Sequence, residues 1–257
     1  MKKIVITIVF VFASLFSFGQ SNFGKPEVDP IVIQSKFMDW WTYQSKNIML
    51  STDFIALDET QNTITKEAFL SKLNDGTTIP IRLQSQDTTL YYQLFKIETT
   101  SDTSIKATIT QIAFDELQHL KMEGSVFPKF SFTDLNGNII SNESLKGKII
   151  VIKCWYIHCA PCIKEFPDVN QLVERYKDRK DIVFVSFAED TLEQLKLFLA
   201  KKPLSYSVIP NMKIYMNETL HLNAFPKHFI INKEGKIAKV LPNFESLDVA
   251  LEKESKL

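Results

Sequence analysis

Two buried strands with a helix between them are the strongest structural signal in this sequence. The run Ile149–Trp155 is apolar except at Lys153, and residues 182–187 form a second such run. The apolar residues between the two runs recur at helical spacing: Cys162, Phe166, Val169, Val173 and Tyr176. Because apolar strands that alternate with helices are typical of a mostly parallel sheet covered on both faces, this part of the chain is predicted to have an α/β fold.

Shorter patterned segments extend this fold to residues 122–257. The predicted strands and helices occupy, in chain order, residues 130–132, 139–140, 149–155, 162–176, 182–187, 191–200, 229–232, 236–241 and 246–253. Asn136-Gly137 and Glu234-Gly235 are turn pairs that predict two hairpins. The resulting order is strand, strand, strand, helix, strand, helix, strand, strand, helix, which we interpret as one domain.

Residues 20–121 have a different amino-acid composition, which is rich in Thr, Ser, Gln and Asp. Thr65 begins a segment with the signature of a short capped helix. Residues 78–83, 90–97 and 104–112 are predicted as strands because β-branched and aromatic residues are concentrated there. Trp40 and Trp41 fall in an earlier predicted helix, where a role in the core is favoured over a binding surface. This half is therefore expected to be a small α+β module, and the sequence assigns it no role.

Residues 1–19 have the features of a secretory signal. Lys2 and Lys3 supply a positive start, the apolar run 4–16 follows, and Gly19 precedes the expected cleavage site. The run is shorter than the ~20 residues that span a bilayer, so no membrane span is expected after cleavage. No Cys follows the cleavage site, which argues against a lipid anchor. The protein is expected to be periplasmic or otherwise exported.

Charge and cysteine distribution restrict the function. Lys+Arg and Asp+Glu each number 30, so bulk charge gives no sign of a nucleic-acid partner or of an anionic membrane surface. The cysteines are Cys154, Cys159 and Cys162, all in one short segment. A structural disulfide framework joins distant segments, whereas this clustering in an oxidising compartment favours redox chemistry.

Cys159 and Cys162 stand where a buried strand ends and a helix begins. At this spacing in a first helical turn the two sulfurs come near enough for a disulfide. The unpaired N–H groups and the helix dipole stabilise a Cys159 thiolate, lowering a thiol pKa from ~8.5 into the range ~3.5–7.5. We therefore expect Cys159 to be the nucleophile and Cys162 the resolving thiol.

The cysteine pair is compatible with two other roles. Half of a zinc site would need a second tight Cys or His pair, and the four histidines supply none. A purely structural short disulfide is the other alternative. No metal and no cofactor are expected.

A set of motifs around the cysteine pair carries a family resemblance. They are Phe127-Pro128-Lys129-Phe130, Asp134-Leu135-Asn136-Gly137, Leu145-Lys146-Gly147-Lys148, Cys154-Trp155, Lys164-Glu165-Phe166-Pro167, Ala224-Phe225-Pro226 and Phe229-Ile230-Ile231-Asn232-Lys233-Glu234-Gly235. With the cysteines, they make residues 122–257 resemble the TlpA-like group of thioredoxin-fold disulfide reductases. The N-terminal half resembles the extra module of some TlpA-like redoxins.

The resemblance implies two further site residues. Pro226 matches the cis proline that faces the cysteine pair, and Glu165 matches an acid that assists proton transfer. Thioredoxins have a buried Asp where this sequence has Lys153. Glu165 equally fits a solvated surface position, and Lys153 fits a side chain that carries its charge out to the surface. Cys154 is expected to pack as a small buried hydrophobe, and His158 either tunes the thiolate or is a surface residue.

The expected reaction is dithiol–disulfide exchange with a protein or small-molecule disulfide. Ala160-Pro161 resembles the inter-cysteine pair of reductases, which then requires a thiol donor in the membrane. One alternative is a thiol peroxidase, although peroxiredoxins place Pro and Thr or Ser before their reactive Cys and this chain has neither there. The other alternative is a binding module with an incidental redox site.

Overall fold

The computed structural model describes residues 23–257, which form two five-stranded sheets and a separate two-stranded hairpin. The predicted signal over residues 1–19 lies outside the described residues. The first sheet is built from residues 23–96, and the second, with the hairpin, from residues 131–241. Within the described range no helix is long and apolar enough to cross a membrane.

Over residues 23–122, the N-terminal half combines one mixed sheet with four helices. Its elements are β1 (Phe23–Pro26), α1 (Pro30–Ile33), α2 (Phe37–Asn47), β2 (Ile55–Leu57), β3 (Thr63–Ile64), α3 (Lys66–Asn74), β4 (Thr78–Ser85), β5 (Tyr91–Lys96) and α4 (Thr103–Met122). The strand order is β1-β4-β5-β2-β3. The expected small α+β module is therefore observed, with Thr65 capping α3 through its hydroxyl.

Residues 104–112 form a helix, so their prediction as a strand was wrong. Asp102 caps α4 by accepting a hydrogen bond from the Ser104 N–H. The residues of α4 that face inward recur every three or four positions: Ile105, Ile109, Ala113, Glu116 and His119. This amphipathic spacing lets α4 pack along α3, and that packing outweighs the strand propensity of the β-branched residues.

The two adjacent tryptophans have different environments. Trp40 is completely buried among the side chains of the N-terminal core, as expected. Trp41 is 38% exposed and stacks on Phe37. The prediction of a core role is therefore confirmed for Trp40 and wrong for Trp41.

The C-terminal half is an α/β domain with a mixed sheet at its centre. Its elements are β6 (Ser131–Thr133), β7 (Ile139–Ser141), β8 (Ile149–Trp155), α5 (Ala160–Lys164), α6 (Phe166–Arg175), β9 (Ile182–Ala188), α7 (Leu192–Leu199), β10 (Ser207–Ile209), a π-helical turn (Tyr215–Thr219), β11 (Lys227–Ile231), β12 (Ile237–Leu241) and α8 (Phe244–Glu254). The strand order is β10-β9-β8-β11-β12, with β8 parallel to β9 and antiparallel to β11. The predicted α/β, thioredoxin-like class is confirmed.

Two details of this half differ from the prediction. Strand β10 follows α7 and pairs in parallel with β9, but its three residues are too few for a recognisable pattern. The single helix expected over residues 162–176 is divided at Glu165 into α5 and α6. Pro167 accounts for the division, because a proline lacks the N–H of a continuous helix and its ring clashes with the carbonyl four residues earlier.

Charged side chains join the two halves. Lys239 on β12 pairs with Glu123 at 2.9 Å and with Asp53 at 2.9 Å, and Lys253 on α8 also pairs with Asp53. Because the two ammonium groups outweigh the effect of burial, the pKa of Asp53 is lowered to about 2. Just after α4, the Gly124 N–H donates a hydrogen bond of 2.8 Å to the Ile237 carbonyl, which attaches the connection to β12.

Phe229 tests how strongly the core of the second sheet holds the fold. It is fully buried, and its ring lies 5.6 Å from that of Phe127 in an edge-to-face contact. We expect Phe229→Ala to lower the free energy of unfolding in urea by ~3–5 kcal/mol, because it leaves a cavity in the core. Ile139→Ala, at a position 68% exposed, is the control and is expected to change it by less than ~0.5 kcal/mol. Equal losses for the two variants would contradict this account of the core.

Candidate active site

The cysteine pair lies at the junction between the central strand and the helix that follows it. Strand β8 ends at Trp155, and α5 begins at Ala160. Cys159 and Cys162 form a disulfide with their Cα atoms 5.3 Å apart. Cys159 is the N-cap of α5, and its Sγ accepts a hydrogen bond of 3.3 Å from the Cys162 N–H. The cap places one sulfur against the free N–H groups of the first turn.

Both cysteines are enclosed by apolar side chains. Cys159 is 3% exposed and Cys162 is completely buried. Trp155 and Phe166 pack beside the pair with their ring centroids 5.0 Å apart, and the Trp155 Nε1–H donates to Ser186 Oγ at 3.0 Å. Cys159 is thus the more accessible of the two, as expected, although the opening is small.

Pro226 lies in a loop that enters the sheet beside this cluster. The Phe225–Pro226 peptide bond is cis, as predicted. Phe225 packs against the cluster that contains both cysteines, and its ring lies 5.6 Å from that of Tyr156. The paired register of β11 with β8 begins at Lys227, so Phe225 and Pro226 lie just outside that ladder.

A buried polar network extends from the end of α5 to the sheet. Glu165 pairs through Oε2 with Lys153 Nζ and with His228 Nε2, the latter at 3.0 Å. Its Oε1 accepts a hydrogen bond of 2.8 Å from the Phe244 N–H at the start of α8. Lys153 and His228 are cross-strand neighbours on β8 and β11. The carboxylate therefore joins two strands and three helices at one point.

The electrostatics of the network follow from these contacts. Burial alone would raise the pKa of Glu165, but the hydrogen bond with His228 and the charge of Lys153 outweigh it and lower the pKa to about 2. Burial and the charge of Lys153 lower the pKa of His228 to about 4. His228 is consequently neutral near pH 7, and its Nε2 carries the proton that it donates to Glu165. Its Nδ1 is buried and has no hydrogen-bond partner among residues 23–257.

This geometry corrects two expectations from the sequence. Lys153 is completely buried, so the idea that it carries its charge out to the surface was wrong. The side chain of Glu165 is only 12% exposed, which excludes the solvated position. Burial lowers the pKa of Lys153, and the adjacent carboxylate opposes that shift and favours the ion pair.

His228 is a member of the site that sequence reasoning missed. The available signal was the polar pair Lys227-His228 at the start of an otherwise apolar strand. Its pairing with Glu165 depends on the register of β11 against β8, which no local pattern specifies.

His158 and Cys154 lie outside this network. His158 is exposed, and Cys154 is buried on the opposite face of the sheet among apolar residues, as expected. Burial raises the pKa of the Cys154 thiol.

Among residues 23–257 no group of three His, Cys, Asp or Glu side chains is arranged to hold a metal ion.

Comparison with known proteins identifies relatives of the C-terminal half. The AhpC/TSA family model matches residues 124–240. Thiol-disulfide oxidoreductase ResA of Bacillus anthracis is 31% identical over 116 residues, which cover 45% of this chain and 67% of that protein. Thioredoxin-like protein YneN of Bacillus subtilis (strain 168) is 28% identical over 120 residues, covering 46% and 70%. A solved thioredoxin domain of a thiol-disulfide oxidoreductase from Bacteroides vulgatus is 25% identical and covers 51% of this chain and 96% of its own, with a TM-score of 0.47.

The buried ion pair predicts a specific pattern of stabilities. We expect Glu165→Gln to lower the free energy of unfolding by ~3–5 kcal/mol, because it leaves the Lys153 charge buried without a counter-ion. Adding Lys153→Met to that variant is expected to recover part of the loss. Urea unfolding of both single variants and the double variant measures this coupling.

Asp248→Asn is the matched control, since it breaks the more exposed Arg175–Asp248 pair. Its expected cost is at most ~1 kcal/mol. Losses from Glu165→Gln and Lys153→Met that simply add would contradict the ion pair as the source of the effect.

Proposed function

Since the chain belongs to the TlpA-like family of thioredoxin-fold thiol–disulfide oxidoreductases, we propose that Cys159 and Cys162 are its redox-active dithiol and that it reduces protein disulfides outside the cytoplasm. The observation that carries this proposal is the disulfide between the two cysteines at the start of α5, where the Cys159 sulfur caps the helix. A cap sulfur receives N–H hydrogen bonds that favour its thiolate form.

The proposed reaction consists of two thiol–disulfide exchanges. The Cys159 thiolate attacks one sulfur of the substrate disulfide, and the other sulfur leaves as a thiolate that takes up a proton. Cys162, as a thiolate, then attacks Sγ of Cys159 in the mixed disulfide and releases the second substrate sulfur. Two electrons pass from the dithiol to the substrate, and the Cys159–Cys162 disulfide forms. A thiol donor in the membrane is proposed to reduce that disulfide again.

We assign Pro226 and the preceding residue to substrate binding. The backbone of Phe225 lies outside the β8–β11 ladder and next to the cysteine cluster. Pro226 has no N–H, so it makes no competing ladder bond at this point. An extended substrate segment is therefore proposed to pair with the Phe225 backbone as an added strand, with its disulfide over Cys159.

Glu165 is proposed to assist proton transfer to and from the Cys162 thiol. Cys162 is fully buried, so its proton has no direct path to bulk water. Glu165 stands three residues further along the chain, where α5 ends. With a pKa of about 2, its carboxylate alone is a weak base near pH 7. We therefore infer that Glu165 acts together with Lys153 and His228 rather than as a single proton carrier.

Direction, location and chain division belong to the same proposal. Ala160-Pro161 between the cysteines supports reduction, and the signal-like residues 1–19 support export. The end of α4 at Met122, just before the matched range 124–240, supports a division into a module over residues 20–121 and a redox domain over residues 122–257.

Thiol labelling tests the roles of the two cysteines. In the reduced protein we expect iodoacetamide at mildly acidic pH to label Cys159 before Cys162 and Cys154, because Cys159 alone caps the helix and is the more accessible of the pair. Mass spectrometry of digests identifies the labelled thiol.

Cys162→Ser is expected to accumulate mixed disulfides with a protein substrate, and Cys159→Ser is the control that should not. Faster labelling of Cys162 would reverse the assignment, and peroxide turnover without disulfide exchange would favour a peroxidase.

The pH dependence of exchange tests the role of Glu165. We expect Glu165→Gln to slow exchange by ~100-fold, the lower range for a positioned acid–base group, and to shift the pH profile of the rate. Stopped-flow oxidation of the reduced protein measures both, at pH values where circular dichroism shows the variant folded. Glu193→Gln, at an exposed position on α7, is the control. A slower rate with an unshifted pH profile would leave Glu165 with a purely structural role.

A further inference from the structure

Helix α4 brings a residue of the N-terminal half to the strand that follows the cis proline. His119, in the last turn of α4, lies with its Nε2 3.0 Å from Lys227 Nζ. His119 is 9% exposed and Lys227 is 7% exposed, so the hydrogen bond is buried between the two halves. Since an ammonium group only donates, Nε2 is the acceptor and the imidazole proton resides on Nδ1.

Lys227 depends on this contact for a partner. Within residues 23–257 it forms no ion pair with a carboxylate, and His119 is the side chain that accepts from it. On the other side of the His119 ring, the Glu116 carboxylate lies with its Oε1 3.5 Å from His119 Nδ1. Burial lowers the pKa of Lys227, while the charges of Glu116 and Asp115 oppose that shift. Both carboxylates that offset the buried charge therefore lie on α4.

The position of Lys227 connects this contact to the redox site. Lys227 directly follows Pro226, is the first residue of β11, and pairs with Cys154 on β8. A restraint on its side chain is therefore also a restraint on the backbone at the end of the cis-proline loop. That loop carries Phe225, which contacts the cysteine cluster.

Packing does not enclose Lys227 on every side. A cavity of about 300 Å³ lies between the two halves, and His119, Lys227 and Glu116 are among the residues that line it. Because free volume borders both side chains, the hydrogen bond supplies the directional restraint. Helix α4, which carries the acceptor His119, is itself fixed, because Glu123 just beyond its end pairs with Lys239.

We propose that the N-terminal module is a positioning part of the redox site and that His119, through Lys227, fixes the cis-proline loop for substrate strands. This inference rests on the proposed exchange function and gives the module a role within it. The restraint on the loop is expected to speed exchange with polypeptide disulfides, because their backbone pairs with the loop. A small disulfide that makes no such pairing reacts at Cys159 without needing it.

Single-turnover oxidation of the full-length reduced protein tests the proposal with two oxidants, insulin and glutathione disulfide. His119→Leu and Lys227→Met are each expected to slow the reaction with insulin about tenfold, the effect of losing a hydrogen bond to a charged group. The double variant should be no slower than either single variant, because both remove the same contact. The rate with glutathione disulfide and the midpoint potential of the cysteine pair should stay unchanged.

Two matched variants complete the test. Gln118→Ala changes the exposed neighbour on α4 and should react as the wild type does. His119→Gln places an amide acceptor near the position of Nε2 and should restore the rate with insulin, which also covers the case in which His119→Leu does not fold.

Three results would overturn the proposal. They are insulin rates equal to wild type in His119→Leu and Lys227→Met, equal slowing with both oxidants, and failure of His119→Gln to restore the rate. A wild-type protein that exchanges with neither oxidant would overturn the proposed function, and this inference with it.

Discussion

The ion pair between Lys153 and Glu165 is the interaction on which the redox half depends. Lys153 lies on a central strand that is buried along its whole length, where an unpaired charge would cost several kcal/mol. The break between α5 and α6 turns Glu165 inward to meet it. His228 and the Phe244 N–H converge on the same carboxylate, so one side chain fixes the relation of the helices to the sheet.

The buried side chain at the position of Lys153 carries the opposite charge from that in thioredoxins, which place a buried acid there. While Lys153 is ionised, the strand offers no proton acceptor at this position, and the carboxylate of the network comes from the helix side instead, at Glu165. The Lys153–Glu165 pair with neutral His228 has no net charge, which limits the cost of burying it. The orphaned His228 Nδ1 is then the group in the network with an unused lone pair.

What the sequence predicted well was local. The strand runs, the hairpin turn at Gly137 (φ 88°) and the helix start at Cys159 each depend on neighbours within a few residues. The contact between Glu165 and His228 spans 63 residues and requires the β8–β11 register, so no motif reports it. The strand prediction at residues 104–112 is wrong because the helical spacing of the buried residues of α4 outweighs the strand propensity of the β-branched residues there.

The register of β8 and β11 also determines which buried lysine faces the N-terminal module. Lys153 and His228 share one face of the sheet, and Cys154 and Lys227 share the other. The two strands next to the cysteines therefore each bury a lysine, on opposite faces. Lys153 finds its partner within the redox half, whereas Lys227 finds its partner on α4. The module that removes Lys227 from water thus also supplies the side chain that accepts its hydrogen bond.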